Sequence, residues 1–156
     1  MNNGRRTILK GSSGAAVMGL AISAGLLRSR SAWAETWNKA AFETKNFNDT
    51  VKAMGGGTAA ESKDITIVSP DIAENGAVVP FSIASKIPKT ESIALLVEKN
   101  PNTLAANFTI PDGTEAGITT RVKMGQTSNV IALVKADGKY YYTSKEVKVT
   151  LGGCGG

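Results

Sequence analysis

Val130-Ile131-Ala132-Leu133-Val134-Lys135-Ala136-Asp137-Gly138-Lys139-Tyr140-Tyr141-Tyr142 decides the fold. An Asp-Gly pair between two apolar or aromatic runs is the composition of a two-residue β-turn. Both turn positions need left-handed backbone angles, which Asp tolerates and Gly adopts freely. The stretch therefore predicts two antiparallel strands joined by a tight hairpin.

The same texture extends in both directions. Downstream, Val147, Val149 and Leu151 alternate with Lys148 and Thr150, the period of a half-buried strand. Upstream, short apolar runs recur between turn residues. Ile65 to Val68 ends at Pro70, and Asn75-Gly76 precedes Ala77 to Ile83. Ile93 to Val97 ends at Asn100-Pro101, Leu104 to Ile110 at Pro111-Asp112-Gly113, and Ile118 to Met124 at Gly125. Seven or eight short strands with frequent turns predict a mainly β chain, an immunoglobulin-like antiparallel β-sandwich over 64–151. Pro80 inside one run marks that strand as an edge or as bulged, since proline has no N–H for a ladder. A single cysteine excludes the inter-sheet disulfide of antibody domains, so the core must hold by apolar packing.

Residues 35–63 read differently, as a short N-terminal helical segment with a glycine linker. Trp37, Ala40 and Ala41 fall on one helical face. Phe47, Val51 and Met54 recur at helical spacing behind a cap at Asn46 or Asn48, and Gly55-Gly56-Gly57 ends the run. Both pieces are expected to pack on the rest of the domain.

Residues 1–34 have the three parts of an export leader: Arg5-Arg6 with Lys10, an apolar stretch from about Gly11 to Leu27, and Ala32-Trp33-Ala34 as a cleavage site. Arg5-Arg6-Thr7-Ile8-Leu9-Lys10 resembles a twin-arginine signal, with Ile8 where that pattern usually has Phe. A membrane anchor needs roughly 20 strongly apolar residues, and this run is shorter and rich in small residues. The expectation is a cleaved leader, no membrane anchor and a periplasmic product exported already folded. The net charge of +5 also belongs to the leader: residues 35–156 carry thirteen basic and thirteen acidic side chains. Electrostatics thus give no case for nucleic acid.

The most informative stretch is Leu151-Gly152-Gly153-Cys154-Gly155-Gly156. Four glycines surround the only thiol. They leave the backbone free and add no bulk, and five residues span at most roughly 17 Å. Residues 152–156 therefore read as a swinging tail that can enter a narrow cleft of another protein. The chain has no histidine, and an unperturbed thiol has a pKa of about 8.5, so nothing nearby activates Cys154. That suits a passive carrier and gives no catalytic residue, no metal site and no cofactor. The competing reading is an immunoglobulin-like binding or structural subunit whose thiol only forms an intermolecular disulfide, giving a disulfide-linked dimer through Cys154. A terminal thiocarboxylate of the Gly-Gly type would need nucleotide-dependent activation and leaves Cys154 unexplained.

The tail, together with Pro70 to Pro80, Ser92 to Pro101, Thr120 to Ser128 and Ser144 to Leu151, resembles the SoxY family of thiosulfate-oxidising systems. The resemblance implies a non-catalytic sulfur carrier paired with a SoxZ-like subunit. It implies that Cys154 receives thiosulfate oxidatively from the c-type cytochrome SoxXA. It further implies that SoxB, a metal-dependent hydrolase, releases sulfate, and that SoxCD, where present, oxidises the remaining sulfane sulfur.

Overall fold

The computed structural model describes residues 37–150. Two short helices come first, α1 (Lys39–Phe42) and α2 (Phe47–Ala53). Nine strands follow: β1 (Ala59–Glu61), β2 (Ile65–Val68), β3 (Ile72–Ala73), β4 (Val79–Ser85), β5 (Thr90–Val97), β6 (Leu104–Thr109), β7 (Gly117–Val122), β8 (Ser128–Ala136) and β9 (Lys139–Val149). The larger sheet runs β1-β9-β8-β5-β6, with β3 also paired to β9. The smaller runs β2-β4-β7. After β1, the chain enters the small sheet as β2 and crosses back to the large one as β3, which lies parallel to β9. A strand split between the sheets, with antiparallel pairing everywhere except where β1 and β3 lie parallel to β9, gives the expected immunoglobulin-like sandwich.

The hairpin forms where the sequence places it. Asp137 and Gly138 have φ of 49° and 73°, the left-handed pair that matches strand twist. β8 and β9 then pair from Ala136↔Lys139 to Ser128↔Val147. The Tyr140–Tyr142 run and the Val147–Val149 alternation belong to one long strand.

Two apolar layers hold the domain. Between the sheets lie Val79, Phe81 and Ile83 from β4, Ile93, Leu95 and Val97 from β5, Val130, Ala132 and Val134 from β8, and Val147 from β9. The alternate residues Ala94, Leu96, Ile131 and Leu133 point to the other face, where Ala41 and Val51 of the helices cover them. β5 and β8 are buried on both faces, which is why their sequences are continuous apolar runs rather than alternating ones. Fully burying one such side chain is worth about 1.5–3 kcal/mol.

The helices are set by their caps. Asn38 Oδ1 accepts from the Ala41 N–H at 3.1 Å, and Asn46 Oδ1 from the Asp49 N–H at 2.9 Å. Of the two expected caps for α2, the structure uses Asn46. The Tyr140 hydroxyl donates to the Met54 carbonyl at 2.5 Å, tying the end of α2 to the sheet. No helix among the described residues is long and apolar enough to cross a membrane.

Three local expectations are corrected. Trp37 and Ala40 do not share the buried face of α1. Trp37 precedes the helix, is exposed and stacks on Phe42 at 4.2 Å, and Ala41 alone of the three is buried. β4, which holds Pro80, is the central strand of its sheet rather than an edge. The proline is accommodated because β2 pairs with β4 only from Ser82 to Ser85, so β7 alone flanks Pro80. The segment expected to be helix and linker also contributes β1, whose Ala59–Glu61 pair in parallel with Tyr140–Tyr142.

Candidate functional site

Cys154, the glycines at 152, 153, 155 and 156, and Arg5 and Arg6 lie outside the described residues. What the structure describes is the stretch that precedes the cysteine-bearing residues in the chain, Lys148-Val149 at the end of β9 and Thr150 after it.

The seat so defined is bonded on both sides. Toward β3, the Lys148 N–H donates to the Asp71 carbonyl at 2.9 Å, and the Thr150 N–H to the Ala73 carbonyl at 3.1 Å. Toward β8, the backbone ladder ends at Val147. Past it, the Val149 N–H donates to Thr127 Oγ1 at 3.0 Å. Three consecutive donors are thus satisfied where a terminal strand would ordinarily fray. Val147 below them is fully buried.

The loops around the seat are stapled to one another. The Met124 N–H donates to the Gly76 carbonyl at 2.7 Å. A Cβ on Gly76 would stand 2.5 Å from the Met124 carbonyl oxygen and 2.8 Å from Val149 Cγ1. Only glycine allows this approach, so the Asn75-Gly76 turn is a packing element as well as a turn. Asn75 Oδ1 accepts from the Ala77 N–H and fixes the turn locally. Asn100 donates to the Lys123 carbonyl and accepts from the Gly125 N–H, and Ser128 Oγ accepts from the Lys99 N–H. These bonds join the β5–β6 and β7–β8 loops.

The electrostatics at this end are mild. Lys145 Nζ donates to the Ser69 carbonyl at 2.7 Å and pairs with the Asp71 carboxylate at 2.9 Å. The hydrogen bond from Lys145, and then its charge, hold the Asp71 carboxyl below its ordinary value of 3.8. Both partners are at the surface, so the pair contributes little to stability. It does clasp the switch from β2 to β3 against β9. Among the described residues no group of His, Cys, Asp and Glu is arranged to hold a metal ion.

Sequence reasoning singled out the cysteine and its glycines, which lie outside the described residues, but not the residues that hold the end of β9. β3 is two residues long and carries no periodic signal, and the Thr127 hydroxyl acts through a contact that no motif encodes. The Asn75-Gly76 pair was visible as a turn, while its second role, against Val149, needed the tertiary structure.

Comparison with known proteins bears on residues inside and beyond this seat. The family model described as "Sulfur oxidation protein SoxY" matches residues 51–154. The solved structure of the sulfur carrier protein SoxY from Chlorobium limicola f thiosulfatophilum is 35% identical. It covers 66% of this chain and 96% of its own, with a TM-score of 0.58. A superoxide reductase (neelaredoxin) from Ignicoccus hospitalis is 16% identical over 55% of this chain and 79% of its own, with a TM-score of 0.49. No curated protein sequence matches.

Proposed function

The chain belongs to the SoxY family of sulfur oxidation proteins, and from that premise we propose that Cys154 holds thiosulfate and its oxidation products covalently while partner enzymes act on them. A carrier role in sulfur oxidation comes with the family. The covalent site, the compartment and the individual partners are our reading.

The observation that carries the reading is the doubly bonded end of β9. The only thiol in the chain stands four residues beyond Thr150, whose N–H is fixed to Ala73. A thiol four residues from a fixed point is confined to a small, defined volume, which is what delivery to several enzymes requires. Four residues reach at most about 14 Å, so each enzyme must accept the tail close to the carrier's surface.

The chemistry follows from a thiol with no base beside it. An ordinary cysteine, with a pKa of about 8.5, is mostly protonated at neutral pH, so activation falls to the enzyme that receives it. In the loading step a sulfur–sulfur bond forms between Cys154 and the outer sulfur of thiosulfate. The thiol proton is released, and the two electrons leave one at a time to two ferric haem equivalents of a SoxXA-like c-type cytochrome. In the next step water attacks the sulfonate sulfur, sulfate leaves, and a persulfide stays on Cys154. A SoxB-like hydrolase fits this step, and a SoxCD-like enzyme fits oxidation of the persulfide. A SoxZ-like subunit completes the carrier. The Arg5-Arg6 leader directs the folded chain to the periplasm, where these partners would meet it.

Intact-mass measurement of the protein from thiosulfate-oxidising cells tests the reading. Thiosulfonate or persulfide adducts that map to Cys154 are expected, together with loss of thiosulfate oxidation and an unchanged fold in Cys154→Ser. Full turnover by Cys154→Ser would end the proposal. Free thiol and disulfide dimer alone, in cells with an active pathway, would favour the binding-subunit reading.

A further inference from the structure

Asn75 stands exposed in the turn between β3 and β4, and Gly76 follows it. The turn holds the asparagine side chain in place. Asn75 Oδ1 accepts from the Ala77 N–H at 2.9 Å, and the Asn75 carbonyl from the Val78 N–H at 3.4 Å. Among the described residues, neither the Asn75 side-chain amide nor the Gly76 N–H donates to an acceptor. A backbone N–H without a protein partner is ordinarily hydrated, and water can therefore take and return its proton.

We propose that Asn75 is a site of spontaneous modification, at which the Gly76 nitrogen displaces the side-chain amide. The Gly76 nitrogen gives up its proton and bonds to Asn75 Cγ. The side-chain nitrogen takes that proton and leaves as ammonia, so a cyclic imide joins the two residues. Water then opens the ring. Attack on the carbonyl derived from Cγ restores the ordinary backbone and leaves aspartate. Attack on the main-chain carbonyl carbon routes the backbone through Cγ and leaves isoaspartate. The turn favours ring closure in two ways. Glycine puts no side chain in the path of the attacking nitrogen, and the Ala77 N–H draws electron density from the side-chain carbonyl, which makes Cγ a better electrophile. Among the described residues no other asparagine precedes a glycine. Asn100 precedes Pro101, which has no N–H. Asn129 lies inside β8, paired with Glu146, and its amide is held by Glu98.

The isoaspartate product does not fit the place that Gly76 occupies, because it lengthens the main chain by a methylene just before Gly76. That glycine has no slack. Its carbonyl accepts from the Met124 N–H at 2.7 Å, and even a Cβ on it would stand 2.5 Å from the Met124 carbonyl oxygen and 2.8 Å from Val149 Cγ1. The longer turn must release one of these contacts. The β7–β8 loop, which holds the Val149 N–H through Thr127, loosens with it. Ageing of the chain at Asn75 thus weakens the hold on the end of β9, whatever Cys154 carries.

The test incubates the full-length chain in mildly alkaline buffer made with heavy-oxygen water. Residue 75 is then read by peptide mapping with electron-based fragmentation, which separates isoaspartate from aspartate. The expected result is heavy oxygen at residue 75, with isoaspartate among the products, at a rate about tenfold above that at Asn129, a barrier lower by roughly 1.4 kcal/mol. The rate should fall in mildly acidic buffer, because the attacking nitrogen must lose its proton. Asn75→Ser keeps a hydroxyl acceptor for the Ala77 N–H and should stay unlabelled. In the isolated isoaspartate form, hydrogen exchange at the Met124 and Val149 amides should quicken by about tenfold, while Val134 and Leu95 in the core hold their rates. No label at residue 75 in chain that stays folded overturns the proposal. Label that appears only once urea unfolds the chain overturns it too, because the turn then protects Asn75. Unchanged exchange at Met124 and Val149 in the isoaspartate form overturns the loosening of β9.

Discussion

The backbone N–H of Val149 donates to Oγ1 of Thr127 at 3.0 Å, so a side chain continues the β8–β9 ladder where the backbone pairing has stopped. One hydroxyl fixes the outer side of the strand from which the cysteine-bearing stretch departs.

Replacing that hydroxyl should loosen the seat and little else. Thr127→Val keeps the shape and removes the acceptor, at a cost of about 0.5–1.5 kcal/mol. Hydrogen exchange at the Val149 amide should quicken by tenfold or more, while exchange at Val134 and Leu95 in the core follows only the small global loss. Thr127→Ser should restore the wild-type rate. Equal exchange at Val149 in Thr127→Val and wild type would show that the hydroxyl does not hold the strand.

Gly76 and Gly125 make an internal comparison. A Cβ at Gly76 meets backbone, the Met124 carbonyl oxygen at 2.5 Å, which no rotamer change relieves. A Cβ at Gly125 meets nothing within 4 Å. Gly76→Ala should therefore cost about 1–3 kcal/mol, as overpacking does. Gly125→Ala should leave the urea midpoint almost unmoved. Equal midpoints for the two variants would remove Gly76 from the seat.

Tyr140 links the sheet to the end of α2. Burial pushes its phenol above the ordinary 10.0, with smaller opposing contributions from Lys135 and Glu91. The folded state favours the protonated phenol. The associated stability is fully present below the unfolded value of 10.0 and is lost as pH rises through the higher folded value. Tyr140→Phe removes the bond to the Met54 carbonyl and should cost about 1 kcal/mol at neutral pH. An ultraviolet titration of the variant should lack the late phenolate step, and a late step that survives would assign it to another tyrosine.

Two surface carboxylates set the acid response. Asp71 is held below 3.8 by the hydrogen bond and charge of Lys145. Glu91 is held below 4.5, first by the hydrogen bond from Lys135 and then by the Gly138 N–H. Depressed carboxylates contribute stability above their unfolded values, and that contribution disappears as pH falls through the folded ones. The window is therefore acidic, below about pH 4.5. In Lys145→Met the Asp71 carboxyl should titrate at its ordinary value in a carbon-detected NMR experiment, with Glu91 unmoved. A shift of Glu91 instead would mean that the two pairs communicate.

The hairpin was legible because its turn chemistry is local: Asp137 and Gly138 take the angles their side chains favour. Strands β5 and β8 were legible as apolar runs, although their two-sided burial follows from α1 and α2 lying on the far face of the large sheet. β1 and β3 were not legible. Ala59–Glu61 and Ile72–Ala73 are too short for periodicity and exist because β9 offers an open edge. Pro80 misled in the opposite sense, since a rule about whole strands met a strand whose flanking partner stops short. The cysteine and its glycines were singled out from composition alone, and they lie outside the described residues. Thr127 and Gly76 could not be, because their role depends on where Val149 lands.

Strand β9 is joined to β8 through nine consecutive registers, from Ser128↔Val147 to Ala136↔Lys139. These bonds lie across the strand axis. A tug on the residues after Thr150, directed along that axis, loads the ladder in shear, so the bonds share the force. A sideways tug would peel them apart singly. Single-molecule pulling through residue 154 along the strand axis should therefore yield at a higher force than pulling across the same strand pair.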